Sequence, residues 1–451
     1  MKLFPSTARW LTLVCFLGSL GASAQEPLTL RQAILEALGA SPEAKLAGAD
    51  SREATAGASL ARTQLLPQMN FTEDISRGDD PVFVFGAKLR QQSFTQADFA
   101  VNALNRPQPV GNFATRFSGS WMLFDSLKTE REIRRADLYR QSAASSGKAV
   151  DQAIVLRVVG AYQSALYSER QVDVAQHEQQ TAEALLTQVD QHVKAGLAVE
   201  SDRMAAEVNL AARQEDLIAA QGNLQIAWAE LGNAMGAPDL QPSPLTPIEP
   251  LTFPQSSLQD ELALAVKTRP DLKALREAQQ AQGAAVGAAR SSFGPTIGAY
   301  GDWEEDRGSI TSSGGDNWVA GVRISIDILP LAKRDRLAQE TAAGERIAAQ
   351  HTQAEQQIQL DVSRAHIHRQ TAELSLDTAR AAMAQAAENL RILRNRYNAG
   401  LATITDLLRA EDAGRESQTN YWHAVYGSAM AYAQLLYAEG TLTPDAAEVL
   451  Q

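Results

Sequence analysis

The sequence predicts an α+β membrane protein in which two-stranded ribbons carry very long helical hairpins, the whole pattern occurring twice. Three observations predict it. First, the turn Ala195-Gly196-Leu197-Ala198 returns as Ala399-Gly400-Leu401-Ala402, followed at equal distances by Asp202/Asp406 and Ala206-Glu207/Ala410-Glu411, and out to Gly236/Gly440. Gly, Leu, Asp and Glu matched at one offset mark an internal duplication. Second, helical patterns of unusual length flank both turns. Third, the chain carries four segments that alternate polar and apolar residues, too few to close a barrel alone. If this sheet meets lipid, several chains must pool their strands, because unpaired edges are not tolerated there.

The 451 residues carry a formal charge of −12, which disfavours nucleic acid or anionic lipid as a partner. Residues 1–24 read as a secretory signal: Lys2 and Arg9, an apolar stretch from Trp10 to Leu20, and Ala22-Ser23-Ala24 before Gln25. The one cysteine, Cys15, lies inside that stretch, so the exported chain is expected to hold no thiol, disulfide or cysteine ligand. No run of 18 apolar residues follows, so no membrane-spanning helix is predicted.

In order, residues 28–64 read as helix, with Leu30, Ile34, Ala37 and Leu38 on one face, a break at Pro42 and a stop at Leu66-Pro67. Leu262, Ala265 and Val266, then Pro270 and Pro295, repeat that arrangement, each proline restricting the backbone at an equivalent place. After each second proline the period becomes two. Met69 and Phe71 alternate with polar neighbours, and Phe113, Phe117, Trp121 and Leu123 face away from Arg116, Ser118 and Ser120. Ile297, Ala299 and Trp303 form one face, and Trp318, Ala320, Val322, Ile324 and Ile326 another. A soluble sandwich also buries one face of each strand. Strands of this length, aromatic-tipped and separated by polar loops, fit an outer-membrane barrel.

Residues 75–112 read as a long loop carrying Asp79-Asp80-Pro81, Phe83, Phe85 and Phe94. Residues 304–316 read as a shorter solvated loop ending in Ser312-Ser313-Gly314-Gly315-Asp316. From about 128 to 192 and from 333 to 396 the pattern is helical and rich in Ala and Gln, long enough to reach on the order of 90 Å. Each helix turns at its glycine, which tolerates the left-handed helix end, and returns as a second helix. On the first return Leu210, Leu217, Leu224 and Leu231 recur every seventh residue, a coiled-coil seam. Six prolines between Pro238 and Pro254 make 237–256 a linker. The expected units are 25–236 and 257–440, each a helix, two strands and a hairpin, with 441–451 as a tail.

No phosphate-cradling loop, nucleophile–base pairing or metal-spaced cluster is visible; His366 and His368, two apart, face different ways on a helix. No catalytic residue, metal or cofactor is expected. Asp202 and Asp406 have two readings: helix-start carboxylates favoured by the macrodipole, or an acidic ring that narrows a pore when several subunits assemble.

The export signal, the duplicated pattern and the tip Tyr397-Asn398-Ala399-Gly400-Leu401…Thr405-Asp406-Leu407-Leu408…Ala410-Glu411 resemble the TolC-type outer-membrane efflux proteins over nearly all of 28–440. Leu123-Phe124-Asp125 resembles the family's strand-to-helix junction, and Ile328-Leu329-Pro330 departs from it. The resemblance implies a homotrimer with a twelve-stranded β-barrel continued by a periplasmic α-helical barrel. It implies a passive exit duct of a tripartite efflux or type I secretion system. The partners would be a periplasmic adaptor (membrane fusion) protein, an inner-membrane pump and outer-membrane lipid. The lipid-facing residues would be Phe113, Phe117, Trp121, Trp318, Val322 and Ile324. The hairpin tips at Gly196, Leu197, Gly400 and Leu401 would dock the adaptor. Asp202, Tyr397 and Asp406 would constrict and gate the entrance, with Asp202 and Tyr397 matching a family link between hairpins. The family's basic partner two residues past the second glycine is Ala402 here, and its second acidic position is Arg409, so one latch is expected to be missing. Two other readings remain open: a soluble periplasmic coiled-coil scaffold, and a surface receptor using 75–112.

Overall fold

The computed structural model describes residues 27–248, 254, 256–448 and 450. The expected signal segment and part of the linker lie outside the described residues. The chain opens with α1 (Leu30–Ala40) and α2 (Pro42–Thr63), broken where Pro42 takes the first helical position of α2 and Ser41 caps it. Strand β1 (Gln68–Gly78), helices α3 (Pro81–Arg90) and α4 (Val101–Asn105) and strand β2 (Val110–Phe124) follow. Helix α5 (Lys128–Lys194) has 67 residues and α6 (Glu200–Met235) has 36. The second half places α7 (Leu258–Thr268), α8 (Pro270–Ser291), β3 (Thr296–Arg307), β4 (Gly315–Ser325), α9 (Leu331–Asn398, 68 residues), α10 (Ile404–Glu439) and the short α11 (Pro444–Glu448).

Both outgoing helices are about 100 Å long, and both turns use one device. Gly196 (φ +74°) and Gly400 (φ +72°) end their helices left-handed. The Leu197 N–H donates back to the His192 carbonyl at 2.8 Å, and Leu401 to Arg396 likewise. These bonds satisfy carbonyls that a helix end leaves unpaired.

The ribbons do not stand apart as two separate pairs. They form one antiparallel sheet in the order β1-β2-β3-β4, so β1 and β4 are edges. The strands join helices at one end of the sheet and loops at the other. Register sorts the residues into two faces. One carries an unbroken aromatic row, Phe71, Phe117, Trp303 and Trp318, directly paired across all four strands. Towards the helices the same face continues through Trp121, Ala299 and Val322, then Ile324. Trp318, Val322 and Ile324 are 76%, 64% and 71% exposed. Towards the loops the row Glu73, Thr115, Glu305, Asp316 interrupts it, with Arg307 donating to Thr115 and sitting 3.6 Å from Glu73. Phe113 lies beyond that polar row and is half-buried. The opposite face is mostly polar: Asn70, Ser118 and Asp302 lead to Val319 in one row, then Thr72, Arg116, Glu304 and Asn317 form the next.

Residues 75–112 are not a structureless loop. Strand pairing runs to Gly78 and resumes at Val110. Between them α3 is capped by Asp80, Lys88 bonds Asp98 at 2.6 Å, and Phe85, Phe94 and Phe99 pack edge to face. Val84 and Ala87 are the buried apolar side chains of this segment, while Phe85 and Phe99 stay 38% and 63% exposed.

The main core sits midway along the helices. Leu30, Ile34 and Ala37 of α1 pack on Val155, Val158 and Tyr162 of α5, with Leu231 and Met235 of α6 and Ala429 of α10. The Tyr162 hydroxyl donates to the Leu28 carbonyl at 2.7 Å and accepts from the Thr246 amide at 3.0 Å, pinning the described part of the linker beside the chain start. Leu210, Leu217 and Leu224 are half-buried and Leu231 fully buried, so the expected seam tightens towards this core.

Candidate functional site: the paired hairpin tips

Far from the sheet, the two turns lie side by side. A small core joins them: Leu185 and Val189 of α5, Ala206 of α6, and Ile404 and Leu407 of α10, with Tyr397 of α9 packed against it. The Gln188 side chain donates to Asn398 at 2.8 Å, tying one outgoing helix to the other. Leu197 and Leu401 project at the extremity, 77% and 68% exposed. Two apolar side chains thus stand at the exposed end of the hairpin pair.

The structure separates the three expected gating residues by their surroundings. Asp406 closes a capping box, its carboxylate accepting from the Thr403 amide at 3.0 Å and hydroxyl at 2.7 Å. Those bonds hold its acid below the usual carboxylate range, and nearby Arg409 and Arg396 add to the effect. Asp406 lines a cavity of about 400 Å³ with Asn389, Leu393, Arg396, Leu401 and Arg409. Two of those residues are cationic, so the charge that Asp406 presents is partly offset. The first tip has no such box: Val199 stands at the cap without a side-chain bond.

Tyr397 is partly buried, which pushes its phenol up, and the Asp202 carboxylate adds to that. Asp202 and Tyr397 are therefore electrostatic neighbours, yet no hydrogen bond joins them among the described residues.

Behind the tips lies a charged layer that the sequence did not signal. Arg213 of α6 reaches Asp412 of α10 at 3.1 Å, and Arg394 of α9 reaches Glu411 of α10 at 3.2 Å. Glu411, one of the two glutamates matched after the turns, is nearly buried, and burial pushes its acid up against the pull of Arg394. Its counterpart Glu207 is exposed and pairs with Arg203 on its own helix. Glu178 of α5 faces the same layer; burial raises its acid, while His177, Arg213, Arg415 and Arg394 pull the other way.

Among the described residues no cluster of three or more His, Cys, Asp or Glu could hold a metal ion. His366 bonds Glu261 at 2.9 Å and Gln370 on its other nitrogen. Among the described residues no helix is long and apolar enough to cross a membrane.

The sequence matches the outer membrane efflux protein family over residues 33–237 and again over 262–441. It is 25% identical to protein CyaE of Bordetella pertussis over 299 residues, 65% of this chain and 63% of that protein, so less than two thirds of that relative is spanned. It is 22% identical over 410 residues to the alkaline protease secretion protein AprF of Pseudomonas aeruginosa, covering 85% of this chain and 78% of AprF. The fold is similar to the crystal structure of the CmeC outer membrane channel of Campylobacter jejuni, with a TM-score of 0.77, 16% identity, and 98% and 94% of the two chains covered. With the family matched over both halves and the same fold at full length, the chain belongs to the outer membrane efflux protein family.

Proposed function

We propose that the chain is one protomer of a passive outer-membrane exit duct. The observation that carries this is the sheet: four strands, two open edges, an exposed aromatic and aliphatic face, and every long helix at one end. An open sheet of this kind cannot stand in lipid, where each unpaired backbone group costs several kcal/mol. Pooling strands removes every edge. Three chains of four strands make a twelve-stranded barrel, and the hairpins, about 100 Å long, continue it as a helical barrel into the periplasm. The matching element order of the two halves is read as an internal duplication that supplies two similar hairpins per chain.

The duct performs no chemistry, and an attached inner-membrane pump supplies the energy. Leu197 and Leu401, presented by the Gly196 and Gly400 turns, dock a periplasmic adaptor protein. Asp406, with Asp202 and Tyr397 behind it, lines the entrance. Asp202 and Tyr397 share no hydrogen bond among the described residues, which leaves both free to latch onto a neighbouring subunit. AprF is an alkaline protease secretion protein and CmeC an outer membrane channel; an open duct serves polypeptide or small cargo alike. Cell fractionation followed by electrophoresis with and without boiling tests the proposal. A detergent-resistant trimer in the outer membrane, conducting in planar bilayers, supports it. A water-soluble monomer in the periplasm overturns it in favour of a coiled-coil scaffold. Asp202→Ala and Tyr397→Phe should raise the conductance if the pair latches neighbouring subunits, and leave it unchanged if it does not.

A further inference from the structure

Among the described residues, the side-chain bonds from the segment between β1 and β2 to the sheet fall on one face. Gln91, just past α3, donates from Nε2 to the Gly111 carbonyl at 2.9 Å and to Asn112 Oδ1 at 2.8 Å. Asn112 in turn donates to Asp306 at 2.6 Å. Arg90 reaches Glu304 at 3.5 Å, a carboxylate also held by Arg116 at 3.0 Å, and the Arg90 carbonyl accepts from Asn317 at 3.4 Å. Asn112, Arg116, Glu304, Asp306 and Asn317 all belong to the polar face, opposite the aromatic row.

The seat is shaped for this contact. Gly315, at the start of β4, is buried, and a Cβ built there would fall on the Arg90 carbonyl oxygen and lie 2.6 Å from Cγ of Gln92. Only a residue without a side chain lets the end of α3 lie so close. The Gly/Ser stretch that reads in sequence as solvated loop thus contains a docking surface. Gln92 itself is left-handed (φ +53°), a costly conformation for a residue with a side chain, and it turns the chain back across the sheet. Strain of this kind marks a place held by its surroundings. Asp306 is fully buried, held by Asn112 at 2.6 Å and facing the Glu304 carboxyl beside it, so two acids share this seat, and releasing the segment would let water reach them.

We propose that residues 81–105 form a displaceable plug seated on the polar, lumen-facing side of the sheet, which narrows the outer mouth of the duct as a second size filter remote from the hairpin tips. This rests on the duct proposal, because the polar face is the lumen only if the aromatic face meets lipid. Each protomer places one such segment inside the mouth, and the Gln91–Asn112–Asp306 chain of bonds is its catch.

Two measurements test it on full-length protein, comparing wild type, Gly315→Ala, and a chain with 81–105 replaced by a short Gly/Ser linker. The first is single-channel conductance in planar bilayers. The second is the rate at which a bulky maleimide, added outside intact cells, labels Asp302→Cys, a polar-face position nearer the helices. Both altered chains should conduct about twofold or more above wild type, since pore diameter sets ion passage. They should also label about tenfold faster, as expected when a covering segment loses its seat. Equal conductance and equal labelling in all three overturn the plug and leave the duct standing. If none of the three conducts, the duct proposal fails, and the labelling ratio still decides whether the segment covers this face.

Discussion

Arg213 of α6 and Asp412 of α10 meet at 3.1 Å, so a side chain of the first hairpin holds the second some way back from the tips. The Arg213 side chain is 11% exposed and is steadied by Asp216 at 3.0 Å. Arg213→Met keeps the apolar stem and removes the fork, at a cost of about 1 kcal/mol for a half-exposed pair. The two tips should then separate more freely. Spin labels at Leu197 and Leu401 should show a longer and broader distance distribution than in the parent chain; an identical distribution would mean that the small tip core alone sets the spacing.

The four left-handed glycines are predicted to differ in their tolerance of a methyl group. A Cβ at Gly196 or Gly400 meets nothing within 4 Å, so alanine there costs only the conformational penalty, about 1–2 kcal/mol. At Gly236 it would lie 3.0 Å from the Ser41 backbone, and at Gly440 2.6 Å from the Arg269 Cα. Alanine at those two positions should therefore destabilise more. Thermal unfolding of the detergent-solubilised protein ranks the four.

Val319 and Val322 lie on one strand and are both well exposed, yet they occupy opposite faces, paired with Asp302 and Ala299 respectively. Val322→Arg would place a charge in the apolar band, a cost of about 2–4 kcal/mol near the bilayer midplane. Val319→Arg would sit beside an acid on the polar face and should be tolerated. For the proposed trimer, the fraction of protein recovered assembled in the outer membrane reads the difference. Equal recovery would contradict the assignment of the faces.

Glu178 predicts a pH dependence with a definite sign. Burial raises its folded-state acid above the unfolded value. The folded state therefore binds the proton more tightly, and stability falls as pH rises from the unfolded value through the raised one. Glu178→Gln removes that penalty. The variant should unfold at a higher temperature than its parent at about pH 7.5, and the gap should close near pH 4, where the unfolded glutamate also protonates. A variant that unfolded at a lower temperature than its parent at about pH 7.5 would show that the surrounding arginines, not burial, dominate.

Periodicity made most of the fold legible. The proline pairs marked the helix breaks, the glycine turns marked the hairpins, and strict alternation marked the four strands, because each signal is local to the backbone that it shapes. What stayed hidden was non-local. Nothing near Arg213 announces Asp412, and nothing near Gly315 announces Arg90, since the partners are brought together only by folding. The tip was half legible: Gly400 and Leu401 were readable as a turn, and the capping box of Thr403 and Asp406, three residues apart, is equally local, whereas the contact of Gln188 with Asn398 is made only by folding.

The open edges at β1 and β4 carry a genetic corollary. In the proposed duct one flank of each subunit meets the unlike flank of the next, so the contact is head-to-tail and every member of the ring is needed to seal it. A copy whose β4 edge is damaged still offers an intact β1 edge and will be drawn into rings with healthy copies. In a cell expressing both, the faulty allele should behave as dominant negative, and function should fall by more than the proportion of faulty gene product.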